Sequence, residues 1–211
     1  MKNNAGKSVL LGMAEAIQQN KDYLSEIDGL IGDGDHGMNM NKGFTVFANQ
    51  IRDKETRFTS GLYDLGNVLF SQIGGSMGPI YGSLFMGMAE AGEKSDEIDL
   101  DVFTGMLAAG LNSLQDIVEA GPGDKTLMDT LVPANAAIQK AAKEGRSFPD
   151  ALKEMKAAAI AGRDSTKDLA AKFGRSSRLG ERSRGVLDAG AVSCCLVLCA
   201  MADGIIKQEG A

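Results

Sequence analysis

Apolar side chains in this chain recur at three- and four-residue steps in segment after segment, and no stretch sustains the strict alternation of a half-buried strand. That periodicity predicts an all-α fold. Leu10, Met13, Ile17 and Leu24 mark a first helix, and Met40, Phe44, Phe47 and Ile51 a second, each with one buried face. A third lies around Leu62 to Phe70, and a fourth follows Pro79, where proline suits the first helical turn. Phe103, Leu107, Leu111, Leu114 and Val118 define a fifth, which Gly121-Pro-Gly123 should stop. Leu127, Leu131 and Ile138 define a sixth with Pro133 as a candidate kink, a seventh covers about 149–171, and an eighth follows Gly190. Eight helices with short connections predict an antiparallel bundle or a closed helical barrel. The 211 residues suit one domain spanning 1–211.

Charge narrows the partners. With 22 lysines and arginines against 28 acids, the net charge of -6 opposes a nucleic-acid backbone, so nucleic acid is not an expected partner. The N-terminal stretch lacks the apolar core and cleavage site of a secretory signal, and no apolar run reaches the roughly 18 residues of a membrane span. Cys194, Cys195 and Cys199 crowd into one apolar segment. A disulfide framework would spread them, and the single histidine leaves too few partners for zinc, so they read as buried thiols. These features point to the cytoplasm.

Glycines cluster at 32–37, 74–82, 121–123 and 174–190, mostly between the helical patterns. Such loops either cap helices or converge to bring backbone groups close to a ligand. In the first, Asp28, Asp33 and Asp35 lie among glycines that let the chain turn sharply between them. Hard carboxylate oxygens at this spacing suit magnesium bridging to phosphate. An EF-hand is excluded by counting from Asp33, because Met38 stands where the loop's glycine belongs and Phe44 where its glutamate belongs. The alternative is an acidic turn in which Asp35 caps the next helix. His36, the one histidine, has three open roles: a neutral donor to phosphate, a general acid-base, or a structural ring.

Ile73-Gly-Gly-Ser76-Met77-Gly-Pro79 precedes a helix, so its amides and the helix N-terminus suit an anion. Gly121-Pro-Gly-Asp-Lys125-Thr126 mimics a P-loop, but Asp124 interrupts the glycine-lysine pair and no βα unit surrounds it. Lys125 and Thr126 either reach phosphate or cap the following helix. Four arginines, Arg175, Arg178, Arg182 and Arg184, lie in a glycine- and serine-rich stretch that supplies positive charge, either to phosphates or to a solvated face.

Together the ordered runs Ile31-Gly-Asp-Gly-Asp-His-Gly37 with Asn39-Met-Asn41, Gly74-Gly-Ser-Met-Gly-Pro79, Gly123-Asp-Lys-Thr126, and Gly174-Arg175 through Leu179-Gly-Glu-Arg-Ser183 resemble the ADP-binding L subunits of bacterial dihydroxyacetone kinases. The related C-terminal domain of the single-chain ATP-dependent kinases shares them. The resemblance covers nearly the whole chain. It implies an eight-helix barrel with ADP or ATP at one end and two magnesium ions on Asp28, Asp33 and Asp35. It also implies nucleotide contacts from His36, Gly37, Met38, Asn39, Ser76, Met77, Thr126, Leu127 and Arg175. Asp188-Ala189-Gly190 stands where the family has aspartate-proline-glycine, which puts the stiffness of that contact in question.

By the same resemblance the terminal phosphoryl passes to dihydroxyacetone, or another small ketose such as erythrulose, on a separate K subunit. A phosphohistidine M subunit then recharges the retained ADP. The chain's length favours this phosphotransferase-system type over a fused kinase. Other expectations stay open: a regulator that reports nucleotide state to a transcription factor, a fatty-acid-kinase-like domain, whose loop typically has threonine in place of His36, and assembly as a homodimer or hetero-oligomer.

Overall fold

The computed structural model describes residues 1–210. Among them the α-helices are α1 (Lys7–Gln19), α2 (Lys21–Ile31), α3 (His36–Ile51), α4 (Phe58–Gln72), α5 (Met77–Gly92), α6 (Leu100–Gln115), α7 (Met128–Lys143), α8 (Phe148–Ser165) and α9 (Ala189–Glu209). Short 3-10 turns occupy Asn3–Ala5, Thr166–Asp168 and Arg175–Ser183. No strand forms among the described residues, where a lone antiparallel bridge pairs Lys2 with Glu97.

The expected all-α class holds, with one division the periodicity hid. Leu24 belongs to α2 rather than to the helix of Leu10, because the chain breaks at Asn20 (φ -106°, ψ 9°), whose side-chain amide donates to the Ala16 carbonyl at 2.8 Å. Both halves bury their apolar residues, so the pattern runs on through the break. The seventh expected helix is also shorter, since α8 ends at Ser165 and the chain continues to Ala171 as a turn and coil.

Eight helices close a ring in the order α1, α3, α4, α5, α6, α7, α8, α9 and back to α1, while α2 packs mainly on α3 beside it. This is the closed barrel with α2 added. The α2–α3, α4–α5, α6–α7 and α8–α9 connections all line one cleft, so successive ring helices alternate in direction. The N-termini of α3, α5, α7 and α9 therefore meet at one end. Inside, Phe85 meets Phe44 edge-on at 6.4 Å and stacks on Tyr81 at 6.0 Å, and all three rings are almost wholly buried. Cys194 and Cys195 are buried and Cys199 is half-buried, all as free thiols. Helix α9 is long and apolar enough to cross a membrane by composition, yet 61% of its most apolar window is buried in the ring, as expected of a core helix.

Pro133 lies inside α7, where it has no N–H to give the Asp129 carbonyl one turn back. That carbonyl packs instead against Gly162 of α8, where an added Cβ would stand only 2.0 Å from it. Glycine normally costs a helix about 1 kcal/mol relative to alanine, but a collision with backbone costs more. Gly162→Ala should therefore destabilise the protein by about 2 kcal/mol in urea unfolding. Gly105→Ala, in α6 with nothing within 4 Å of the new carbon, should stabilise it by up to about 1 kcal/mol.

Candidate functional site

The four convergent connections enclose a cleft of about 890 Å³. A second depression of about 420 Å³ lies at the opposite end, where Lys2 and Arg57 face Asp96 and Glu97, and it holds none of the glycine-loop residues. The chemistry is concentrated in the larger cleft.

Asp28 stands in the last turn of α2, and Asp33 and Asp35 follow in the turn to α3, where Gly34 takes φ +78° to fold the chain back. The three carboxylates can each offer an oxygen with all of these oxygens within 4.8 Å of one another. Asp35 occupies the N-cap position of α3, but its side chain accepts no capping hydrogen bond. Asp28 Oδ2 accepts weakly from the His36 amide at 3.3 Å, tying the turn together. Three hard oxygen donors at this separation fit a small divalent cation such as magnesium. Arg175, reaching across the cleft, forms an ion pair with Asp33.

The rest of the cleft gathers helix N-termini. The first turns of α3, α5, α7 and α9 all contribute residues to it, and each helix N-terminus carries about half a positive charge in exposed N–H groups. Ser76, the N-cap residue of α5, makes no capping bond with its side chain. At α7, Asp129 accepts from the amides of Gly123 (2.5 Å) and Thr126 (2.8 Å), and Thr126 Oγ1 accepts from Met128 N at 3.2 Å. At α9, Asp188 caps through a 2.7 Å bond from Ala191 N, with Ala189 as the first helical residue.

Thirteen of the fifteen site residues expected from sequence line this cleft: Asp28, Asp33, Asp35, His36, Asn39, Ser76, Met77, Thr126, Leu127, Arg175, Asp188, Ala189 and Gly190. Gly37 and Met38 do not. An added Cβ at Gly37 would lie 1.9 Å from the Lys21 carbonyl, so this glycine lets α3 start against α2, and Met38 projects into solvent. Lys125 also departs from a phosphate-reaching role, because its ammonium is buried against the carbonyls of Thr166 and Val186. Sequence reading missed an apolar wall of Ile80, Ile117, Val118 and Phe173. Val118 looked like the end of the fifth helix, but α6 stops at Gln115, and an apolar pair just before Gly121-Pro-Gly123 was the available signal.

His36 is buried, with Nε2 2.8 Å from Ser193 Oγ, which in turn lies 2.7 Å from the Tyr81 hydroxyl. This chain links α3, α9 and α5 at the cleft, which His36 and Tyr81 line. Burial lowers the His36 pKa to about 4, so the ring is neutral at physiological pH. Burial also raises Asp188 to about 7, against the opposing bond from Ala191 and the charge of Lys125.

An all-helical ring that brings four helix N-termini and three carboxylates to one end is an architecture for holding a phosphate ester together with hard cations. The chain belongs to the DAK2 domain family, whose pattern matches residues 30–203. It is 36% identical over 188 residues to the ADP-binding subunit DhaL of PEP-dependent dihydroxyacetone kinase 1 from Listeria innocua, covering 89% of each protein. The corresponding Escherichia coli K12 subunit is 36% identical over 175 residues, covering 82% of each. The crystal structure of the dihydroxyacetone kinase from C. freundii in complex with AMP-PNP and Mg2+ has the same fold, with a TM-score of 0.69 at 20% identity over 96% of this chain and 34% of that one.

The single imidazole allows a direct check. The unfolded ring takes a proton near pH 6.5 and the folded ring only near 4, so its contribution to stability is full above 6.5 and is lost as pH falls toward 4. That loss amounts to roughly 3 kcal/mol. Asp188 works in the opposite sense, costing stability as pH rises from 3.8 through about 7, so the overall unfolding curve mixes the two. Proton NMR of the His36 ring separates them: it should stay neutral down to about pH 4, and titration near 6.5 would show an exposed ring.

Proposed function

We propose that this chain is the nucleotide-holding subunit of a dihydroxyacetone kinase. In this reading it retains ADP with two magnesium ions and delivers a phosphoryl group to dihydroxyacetone, or a related small ketose, on a separate K subunit. A phosphohistidine M subunit recharges the nucleotide, so ADP serves as a relay. The observation that carries the reading is the meeting of three clustered carboxylates and four helix N-termini in one cleft. The similarity to curated ADP-binding subunits over most of both chains supports it.

Asp28, Asp33 and Asp35 would hold the metal, and bound magnesium supplies the charge neutralisation that lets phosphate approach carboxylates. The amides opening α3 and α5, with Ser76 and Thr126, would orient the phosphate oxygens, and Arg175 adds a full positive charge from the opposite side. The apolar wall of Ile80, Ile117, Val118 and Phe173, with Met77 and Leu127, suits a nucleobase and excludes water from it. Neutral His36 is held by its hydrogen bond to Ser193, which in turn meets the Tyr81 hydroxyl. Catalysis of this kind is positioning and electrostatics, and it needs no side-chain nucleophile. Three free thiols are compatible with a reducing cytoplasm, where we place the protein.

Mass and absorbance analysis of the purified protein should find ADP and magnesium bound. Asp33→Ala should abolish magnesium-dependent ADP retention while leaving the helical circular-dichroism spectrum unchanged. With K and M partners and phosphoenolpyruvate-derived phosphate, the wild type should phosphorylate dihydroxyacetone without added ATP. Ready release of nucleotide and turnover only with free ATP would end the relay reading.

A further inference from the structure

A lysine in a Gly-Asp-Lys-Thr run, at the edge of a cleft suited to phosphate, invites assignment as a phosphate ligand. The structure assigns Lys125 a different role, that of a positioning residue that knots the base of the Arg175-bearing strap and thereby sets where Arg175 sits over the cleft. This inference rests on the nucleotide reading above, since the consequence of the knot is read through nucleotide affinity.

The strap joins α8 to α9 and runs from Lys167 to Leu187. Lys125 is 1% exposed, and its Nζ donates to the carbonyls of Thr166, at 2.6 Å, and Val186. Those two carbonyls stand at the two ends of the strap, so one ammonium group closes the loop. Further bonds zip the neck behind it. Gly185 N donates to the Lys167 carbonyl at 2.8 Å, Ala171 N to Ser183 Oγ at 2.8 Å, and Asp188 N to Thr166 Oγ1 at 3.0 Å. Beyond the neck, Asp124 takes Lys172 through both its carboxylate (2.7 Å) and its backbone carbonyl (3.2 Å). The exposed tip then carries Arg175 to Asp33 on the far side of the cleft.

Two properties of Lys125 fit a knot better than a ligand. Two of its three ammonium protons are committed to backbone carbonyls. Its backbone sits at φ +62°, the only non-glycine residue with positive φ among those described, a conformation that costs energy and persists where the side chain is held. Burial disfavours its charge, and nearby Asp188 and Asp129 counter that. Asp124, Lys125 and Thr126 thus act respectively on the strap tip, the strap neck and the start of α7.

The test is a double-mutant cycle on Mg·ADP affinity, measured by calorimetry on the full chain with hydrogen exchange of the strap read in parallel. Lys125→Gly removes the ammonium and suits the positive φ, and Lys125→Met keeps the aliphatic stem as a second variant. Lys125→Gly should keep the ring helices protected, expose the amides of Ala171, Gly185 and Asp188 to exchange, and weaken Mg·ADP about tenfold or more. In an Arg175→Ala background the same change should weaken binding less than about twofold, because Lys125 acts through that arginine. Penalties that add in full would mean that Lys125 meets phosphate itself, and unchanged affinity with an open neck would mean that the strap's position is immaterial. Either result overturns the inference. So does unfolding of both Lys125 variants, which would make the residue a general requirement of the fold. A wild type that does not bind Mg·ADP would sink the nucleotide reading instead, with the exchange pattern still reporting on the neck.

Discussion

Closure of the helical ring is the constraint from which the site follows. Because successive helices alternate in direction, ring closure places the N-termini of α3, α5, α7 and α9 at the same end. A single helix N-terminus attracts an anion modestly, and the effect fades within a turn. Four of them gathered at one cleft add backbone partial positive charge without a run of lysines, in a chain of net charge -6. The acidic turn sits beside them, with the oxygens of its three carboxylates within reach of a single cation.

The polar groups at this cleft keep it in shape. His36, Ser193 and Tyr81 form a buried chain across three helices, Asp129 gathers the amides of the α6–α7 connection, and Asp188 holds the start of α9. Each satisfies donors or acceptors that would be costly to leave unpaired in a protein interior. Residues that look reactive in the sequence, His36 and Asp188 among them, line the cleft and are at the same time tied into this framework, beside the clustered carboxylates, first-turn amides and Arg175. Such a cleft suits phosphoryl transfer, in which orientation and electrostatics outweigh covalent participation.

Much of this was legible in the residues. Periodicity gave the helices because a buried face must repeat with the helical turn, and the glycine clusters marked the connections because tight turns and close approaches exclude side chains. The three aspartates could be read as metal ligands because their spacing, with glycine between, already limits how far apart their oxygens can lie. Illegible were the break at Asn20, which leaves the apolar pattern intact, and the roles of Gly37 and Lys125. Gly37 packs against Lys21, and Lys125 binds carbonyls at Thr166 and Val186. Neither set of partners can be inferred from local spacing.

The sequence by itself determined the helical class, the positions of the loops and the chemical types available at each, since these depend on propensity and pattern over a few residues. The tertiary structure settles which loops share an end, that Ile117, Val118 and Phe173 line the same cleft, and that His36 is a neutral buried ring. The physical reason is that burial, electrostatic environment and hydrogen-bond partnership are set by neighbours brought from distant parts of the chain. A histidine or lysine has no role until the fold has chosen what surrounds it.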